Sequence, residues 1–142
     1  ISNSLKHTPP LSLFRGFALI RSGEHKNTVD LKHSGVVPVV DLGRVYALQA
    51  GITSAGTRDR LKAAGEAGLI SAAGAADLLD AFDLIAQTRL QHQAAQVRQN
   101  KAPDNFMSPA TLSELERNHL RDAFMVVKTM QSALGSGKQM LG

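Results

Sequence analysis

The sequence predicts a mostly α fold: an antiparallel helical bundle with a short extended or β element at its N-terminus. Three observations predict it. Apolar residues recur at helical spacing in four segments between residues 36 and 135, short breaks marked by Gly or Pro separate those segments, and residues 1–35 lack the spacing. Short links between amphipathic helices favour antiparallel packing. A length of 142 residues suits one domain with a self-supporting core. That core must be aliphatic, because aromatics make up 4% of the chain, with one Tyr and no Trp.

Residues 1–35 read as an extended segment packed on the bundle. They hold Pro9, Pro10, Gly16, Gly23, Gly35 and three of the five His. Leu11 to Ile20 and Thr28 to Lys32 flank the polar stretch RSGEHKN and read as two short strands. The first of them fits a short helix equally well, through Leu13, Phe14, Phe17 and Ala18.

The bundle is expected over residues 36–135. Pro38 suits a first helical turn, Val39, Leu42, Val45 and Tyr46 form a stripe, and Gly51 is placed to end the helix. Thr57 can cap a second helix that runs through Ala67, with Leu61 inward and Gly68 as its stop. Ser71 opens the longest pattern, which runs to about Asn100 and would span roughly 42 Å. Its apolar side is read as Leu78, Leu79, Phe82, Ile85, Ala86, Leu90 and Val97, with Leu79, Phe82 and Ile85 buried. KAPDNFMSPATL then breaks the pattern. Ser113 and Glu116 have the spacing of a capping box ahead of Leu120, Phe124, Val127, Met130 and Leu134. Gly135 is read as the end of that helix, and residues 136–142 as a flexible tail.

Composition and missing motifs narrow the chemistry. With no Cys, a disulfide scaffold, a thiolate zinc site and a Cys nucleophile are excluded, and a reducing, cytoplasmic setting is compatible. No apolar run reaches the length of a membrane span, so no membrane partner is expected. The formal net charge of +4 would suit an anionic partner, yet the charges are mixed and scattered, as on a solvated surface. Nucleic acid is therefore not an expected partner. There is no phosphate-binding Gly-rich loop, nucleophile elbow or zinc-protease helix. Nucleotidyl transfer needs paired carboxylates for magnesium, and the one close pair, Glu114 and Glu116, is explained as a helix first turn. The chain alone is not expected to catalyse.

Several polar groups share helix faces. Arg89, His92, Gln93 and Gln96 stand three, four and seven residues apart, which suits either a phosphate- or base-contacting stripe or a solvated face. His119 with Asp122, and Asp41 with Arg44, read as local surface pairs, and Arg117, Arg121 and Lys128 as a basic line.

The segments VDLKHSGVVPVVDLGRVYALQAGI, TRDRLKAAGEAGLIS, DLLDAFDLIAQTRLQHQ and APDNFMSPATLSELERNHLRDAFMVVKTMQ follow one another without large gaps. Over about residues 11–133 the chain resembles the C-terminal substrate-binding domain of bacterial nucleotidyltransferase-like signalling proteins. The middle of the chain is also similar to the helical part of glutamine synthetase adenylyltransferase-like enzymes. The first resemblance implies an upstream nucleotidyltransferase domain in the same polypeptide, with CBS and cyclic-nucleotide-binding domains further upstream. It implies that magnesium and a nucleoside triphosphate are held by that catalytic domain, with no cofactor in this chain. The first residue, Ile1, fits a piece of a longer protein.

These readings lead to an accessory domain that positions a protein or small-molecule acceptor for signal transduction. The rival is an interaction or homodimerisation module without a small-molecule ligand. Candidate substrate-binding residues are Lys32, Arg44, Arg89, His92 and Gln93; no catalytic or metal-binding residue is assigned. Lys32, Arg44, Arg89 and His92 are expected to converge on one polar groove with an anionic occupant. The opposing expectation is that Arg44 and Arg89 are spent in structural pairs with Asp30, Asp41 or Asp83.

Overall fold

The computed structural model describes residue 17 and residues 19–141, with side chains through residue 135. Its elements in order are β1 (Val29–Asp30), a π-helical turn (Lys32–Val36), α1 (Val37–Ala50), α2 (Thr57–Glu66), α3 (Ala72–Arg98), β2 (Phe106–Met107), a 3-10 turn (Pro109–Thr111) and α4 (Glu114–Leu141). The protein is mostly helical, as its periodicity predicts. Gly74 near the start of α3 lies beside Met130 of α4, whereas Thr88 and His92 share a groove with Thr111 and Leu112 just before α4. The two long helices therefore run antiparallel.

Local chemistry sets most helix ends. The Ser71 hydroxyl accepts the Gly74 N–H at 2.9 Å. In the capping box, Glu116 Oε1 accepts the Ser113 N–H at 2.8 Å and Ser113 Oγ accepts the Glu116 N–H at 3.2 Å. Gly51 ends α1 with φ of 64°, a conformation that a Cβ would disfavour. Thr57 differs from its expected role: Gly56 precedes α2 in the cap position, and Thr57 is the first helical residue, without a side-chain capping bond. Gly135 does not stop α4, whose backbone stays helical to Leu141 in place of the expected tail. A helical Gly costs only about 1 kcal/mol against Ala, and the left-handed turn that ends a helix is not formed there.

The π-helical turn joins β1 to α1. Asp30 Oδ1 accepts the N–H groups of Lys32 and His33 at 3.1 and 3.0 Å, which caps the turn. The Val36 N–H reaches back five residues to the Leu31 carbonyl at 3.0 Å. Pro38, which has no N–H to donate, stands at the start of α1 just after the wide turn. Gly35 lets the turn sit against the bundle: a Cβ there would lie 2.6 Å from Ile85 Cγ2 and 3.3 Å from Phe124 Cε1.

β1 pairs antiparallel with β2, Val29 opposite Met107 and Asp30 opposite Phe106, and Leu19 bridges to the other side of Val29. Leu19 and Ile20 form the end of the expected Leu11–Ile20 strand, the Ile20 N–H reaching the Thr28 carbonyl at 3.0 Å and its carbonyl accepting the Asn27 N–H at 2.8 Å; residues 11–16 and 18 lie outside the described residues. Val29 and Leu31 are fully buried in one core with Val39, Leu42, Tyr46, Leu61, Leu78, Ile85, Leu120 and Val127. The inward face of α3 is Ala75, Leu78, Ala81 and Ile85. Leu79 and Phe82, expected to be buried with Ile85, are half-buried at its flanks, and Leu90 and Val97 are exposed. The neighbours cover only a narrow strip of α3, and small Ala75 and Ala81 take the closest positions, which an apolar stripe alone does not reveal.

Candidate functional site

Three of the five candidate residues meet at one place. The end of α3 reverses the chain: Asn100 takes φ of 60°, its N–H reaches the Val97 carbonyl at 3.0 Å, and the Lys101 N–H reaches the Gln96 carbonyl at 2.8 Å. The segment Pro103–Asn105 is thereby turned back along the helix face that carries Arg89, His92, Gln93 and Gln96. Arg89 Nε donates to Asn105 Oδ1 at 2.6 Å, and Gln93 Nε2 donates to the same oxygen at 3.2 Å and to the Asp104 carbonyl at 3.1 Å. His92 Nε2 lies 2.9 Å from Asp104 Oδ1, and Gln96 Oε1 accepts the Asp104 N–H at 2.8 Å. The expected stripe is real, and its polar groups clamp a loop.

The clamp reaches the sheet and the π-helical turn. Asp104 Oδ1 also accepts the Phe106 N–H at 3.0 Å, which fixes the entry into β2. The Asn105 carbonyl accepts the Leu31 N–H at 2.8 Å, one residue before the turn. His25 stacks on Phe106, with ring centroids 3.8 Å apart and planes 11° from parallel. Burial pushes the Asp104 carboxyl up, but the hydrogen bonds from His92, Gln96 and the Phe106 amide, with the charge of His92, outweigh it and hold it below the usual carboxylate range. Asp30 shows the same balance: burial raises its carboxyl, and bonds from the His33 amide and ring and the Lys32 amide bring it lower.

Lys32 and Arg44 do not join this network. Lys32 is exposed on the π-helical turn. Arg44 lies roughly 16–18 Å further along the helix axis, and its guanidinium is 3.9 Å from Asp41 on its own helix, both side chains being exposed. The four-residue groove is therefore not assembled. Helical rise separates its two N-terminal cations, and Arg89 is spent on Asn105, a side chain not weighed as its partner. The opposing expectation describes Arg44 and Arg89 better, with Asn105 in place of a carboxylate for the latter. Asp83 pairs instead with Arg58 of α2.

Beyond His92 opens a groove of about 430 Å3 between the end of α3 and the start of α4. Gln91, His92, Gln96, Gln99, Lys101 and Thr111 supply polar edges, and Met107 and Leu112 supply apolar surface. The sequence reading missed Gln91, Gln99 and Lys101 as wall residues, although KAPDNFMSPATL contains part of the wall. Toward the other end of the same seam, two smaller grooves of about 260 and 360 Å3 share Asp77, Asp122 and Val126. His119 and Asp122, expected as a local pair, line the first of them. The expected basic line on α4 is divided: Arg117 donates to the Leu112 carbonyl at 2.6 Å, and Arg121 donates to Asn118 at 2.8 Å and lies 5.4 Å over the Phe17 ring. Among the described residues no three His, Asp or Glu side chains gather as a metal site would require, and no helix is long and apolar enough to cross a membrane.

The protein is thus a helical bundle with a loop clamped along α3 that opens on a polar groove. Residues 1–137 match the family described as "putative nucleotidyltransferase substrate binding domain", and the chain belongs to that family. No curated protein and no solved structure matches the chain.

Proposed function

We propose that this chain holds an acceptor beside a nucleotidyltransferase catalytic domain of the same polypeptide. The observation that carries the reading is the family match across residues 1–137. The clamp supports it, because Arg89, His92, Gln93 and Gln96 give the loop and the adjoining groove a fixed shape before any ligand arrives. In this reading magnesium and the nucleoside triphosphate belong to the catalytic domain, and this chain contributes binding and orientation. The acceptor is a protein or small molecule, and the setting is bacterial cytoplasmic signalling, with CBS and cyclic-nucleotide-binding domains upstream.

The test compares the polypeptide that carries both domains with a version lacking this one. Nucleotide binding should persist in the shortened protein, while transfer of labelled nucleotide to the acceptor falls. Undiminished transfer would overturn the reading. A second reading, homodimerisation, is favoured by Leu90 and Val97, which are 67% and 59% exposed and stand seven residues apart on α3. Sedimentation of the purified chain, alone and with both residues changed to Ser, tests it: a dimer lost in the variant supports it, and a monomer at every concentration overturns it.

A further inference from the structure

The groove between the end of α3 and the start of α4 has a composition that selects a ligand. Its volume of about 430 Å3 lies within the range of small-molecule sites. Lys101 brings an ammonium group to its edge, and His92 brings an imidazole. No carboxylate lines it; Asp104 stands behind His92 and is engaged with its Nε2. Nδ1 is then the His92 ring nitrogen without a partner among the described residues.

The rest of the polar wall is neutral. Gln91 and Gln99 are exposed and their side chains have no hydrogen-bond partner among the described residues, so their side-chain amides can each donate and accept. Gln96 has its Oε1 committed to the Asp104 N–H, which anchors the wall. Met107 and Leu112 provide an apolar surface for a carbon skeleton. A cationic edge, paired amides and an apolar surface match a molecule with one oxyanion and several hydroxyls.

We propose that this groove binds a small hydroxyl-rich molecule bearing one phosphate or carboxylate group. Lys101 receives the oxyanion, the His92 Nδ1 lone pair accepts from one hydroxyl, and Gln91 and Gln99 receive the others. The inference deepens the accessory-domain reading and rests on it for the ligand's role as the acceptor. Neither Lys101 nor the two glutamines belongs to the clamp, so the site can be removed without loosening the loop.

Four probes separate the sources of the chemistry: ribose 5-phosphate for the phosphate, gluconate for the carboxylate, ribose as the neutral comparison and inorganic phosphate as the anion without hydroxyls. Titration of the isotopically labelled chain should move the amide signals of Gln91, Gln99 and Lys101 with one or both anions, and only weakly with ribose. Lys101→Ala should weaken anion binding by about tenfold or more, and Gln91→Ala with Gln99→Ala should narrow the gap between the anions and inorganic phosphate. Lys62→Ala, on α2 outside the groove, should leave binding unchanged. Equal binding of ribose, no binding of either anion up to about 10 mM, or binding unaffected by Lys101→Ala would each overturn the assignment. Failure here, with nucleotide transfer still requiring this domain, removes the groove and leaves the accessory role. Binding here, with transfer indifferent to the domain, removes the accessory role and leaves the groove.

Discussion

The two halves of α3 are held by different physics. In the first half of α3, Leu78, Ala81 and Ile85 are buried in one core with Leu120, Ala123 and Val127 of α4. Past Ile85, α3 contributes no fully buried side chain, and the contact passes to Arg89, His92, Gln93 and Gln96 on the 103–105 loop. Burial is non-directional and tolerates small shifts, so the first half supplies stability. Hydrogen bonds require their partners at set distances and angles, so the second half supplies position. A groove beside the second half inherits a defined wall.

The largest expected effect strikes the buried half. Leu78→Ala should cost about 2–5 kcal/mol in denaturant unfolding, whereas Leu90→Ala, exposed on the same helix, should stay within about 0.5 kcal/mol. Similar losses at both positions would break the comparison. Phe82→Ala should fall below the roughly 3–5 kcal/mol of a fully buried ring, because Phe82 is only half-buried.

Asn105→Ala, in the hydrogen-bonded half, removes the acceptor shared by Arg89 and Gln93. It should cost about 1–3 kcal/mol, and hydrogen exchange at the Leu31 amide should speed up more than at amides in the middle of α3. Uniform acceleration would mean that the clamp stabilises globally and does not position the loop. Ser113→Ala, at the capping box, should cost about 0.5–2 kcal/mol, with the loss confined to the first turns of α4 by exchange.

The smallest effect is on pH. The folded chain holds the Asp104 carboxyl below its ordinary value, so the unfolded chain takes up that proton first as pH falls. The contribution is complete above the unfolded value, near pH 4, and is lost as pH falls through the folded value. Asp30 acts in the same direction. Asp104→Asn should flatten the acid limb of the stability curve below about pH 4; an unchanged limb would assign the acid loss to other carboxylates.

The helices and several of their ends were legible because their causes are local. Ser71, Gly51 and the Ser113–Glu116 box act within a few residues, and a run of apolar residues at helical spacing needs no knowledge of its partner. The common face of Arg89, His92, Gln93 and Gln96 was legible for the same reason. Which strip of α3 is buried was not, since Ala75 and Ala81 serve there only because neighbouring elements approach closely. β2 was not legible either: two residues carry no period, and Phe106–Met107 becomes a strand only through pairing with Val29–Asp30.

By itself the sequence determined a mostly helical chain, the start of each long helix and a polar stripe on α3, because backbone hydrogen bonding, capping and side-chain periodicity act over a few residues. Tertiary structure alone decided what that stripe does. The chain had to reverse at Asn100 before Asp104 and Asn105 could meet residues 11 to 16 positions earlier, and that meeting made Arg89, His92 and Gln93 a clamp on the loop, with His92 also at the edge of the groove. It also gathered Gln91, Gln99 and Lys101 around one groove, where their unspent hydrogen-bonding groups share a space. The interactions that define the site join side chains far apart in the chain, and folding is what brings them within reach of a hydrogen bond.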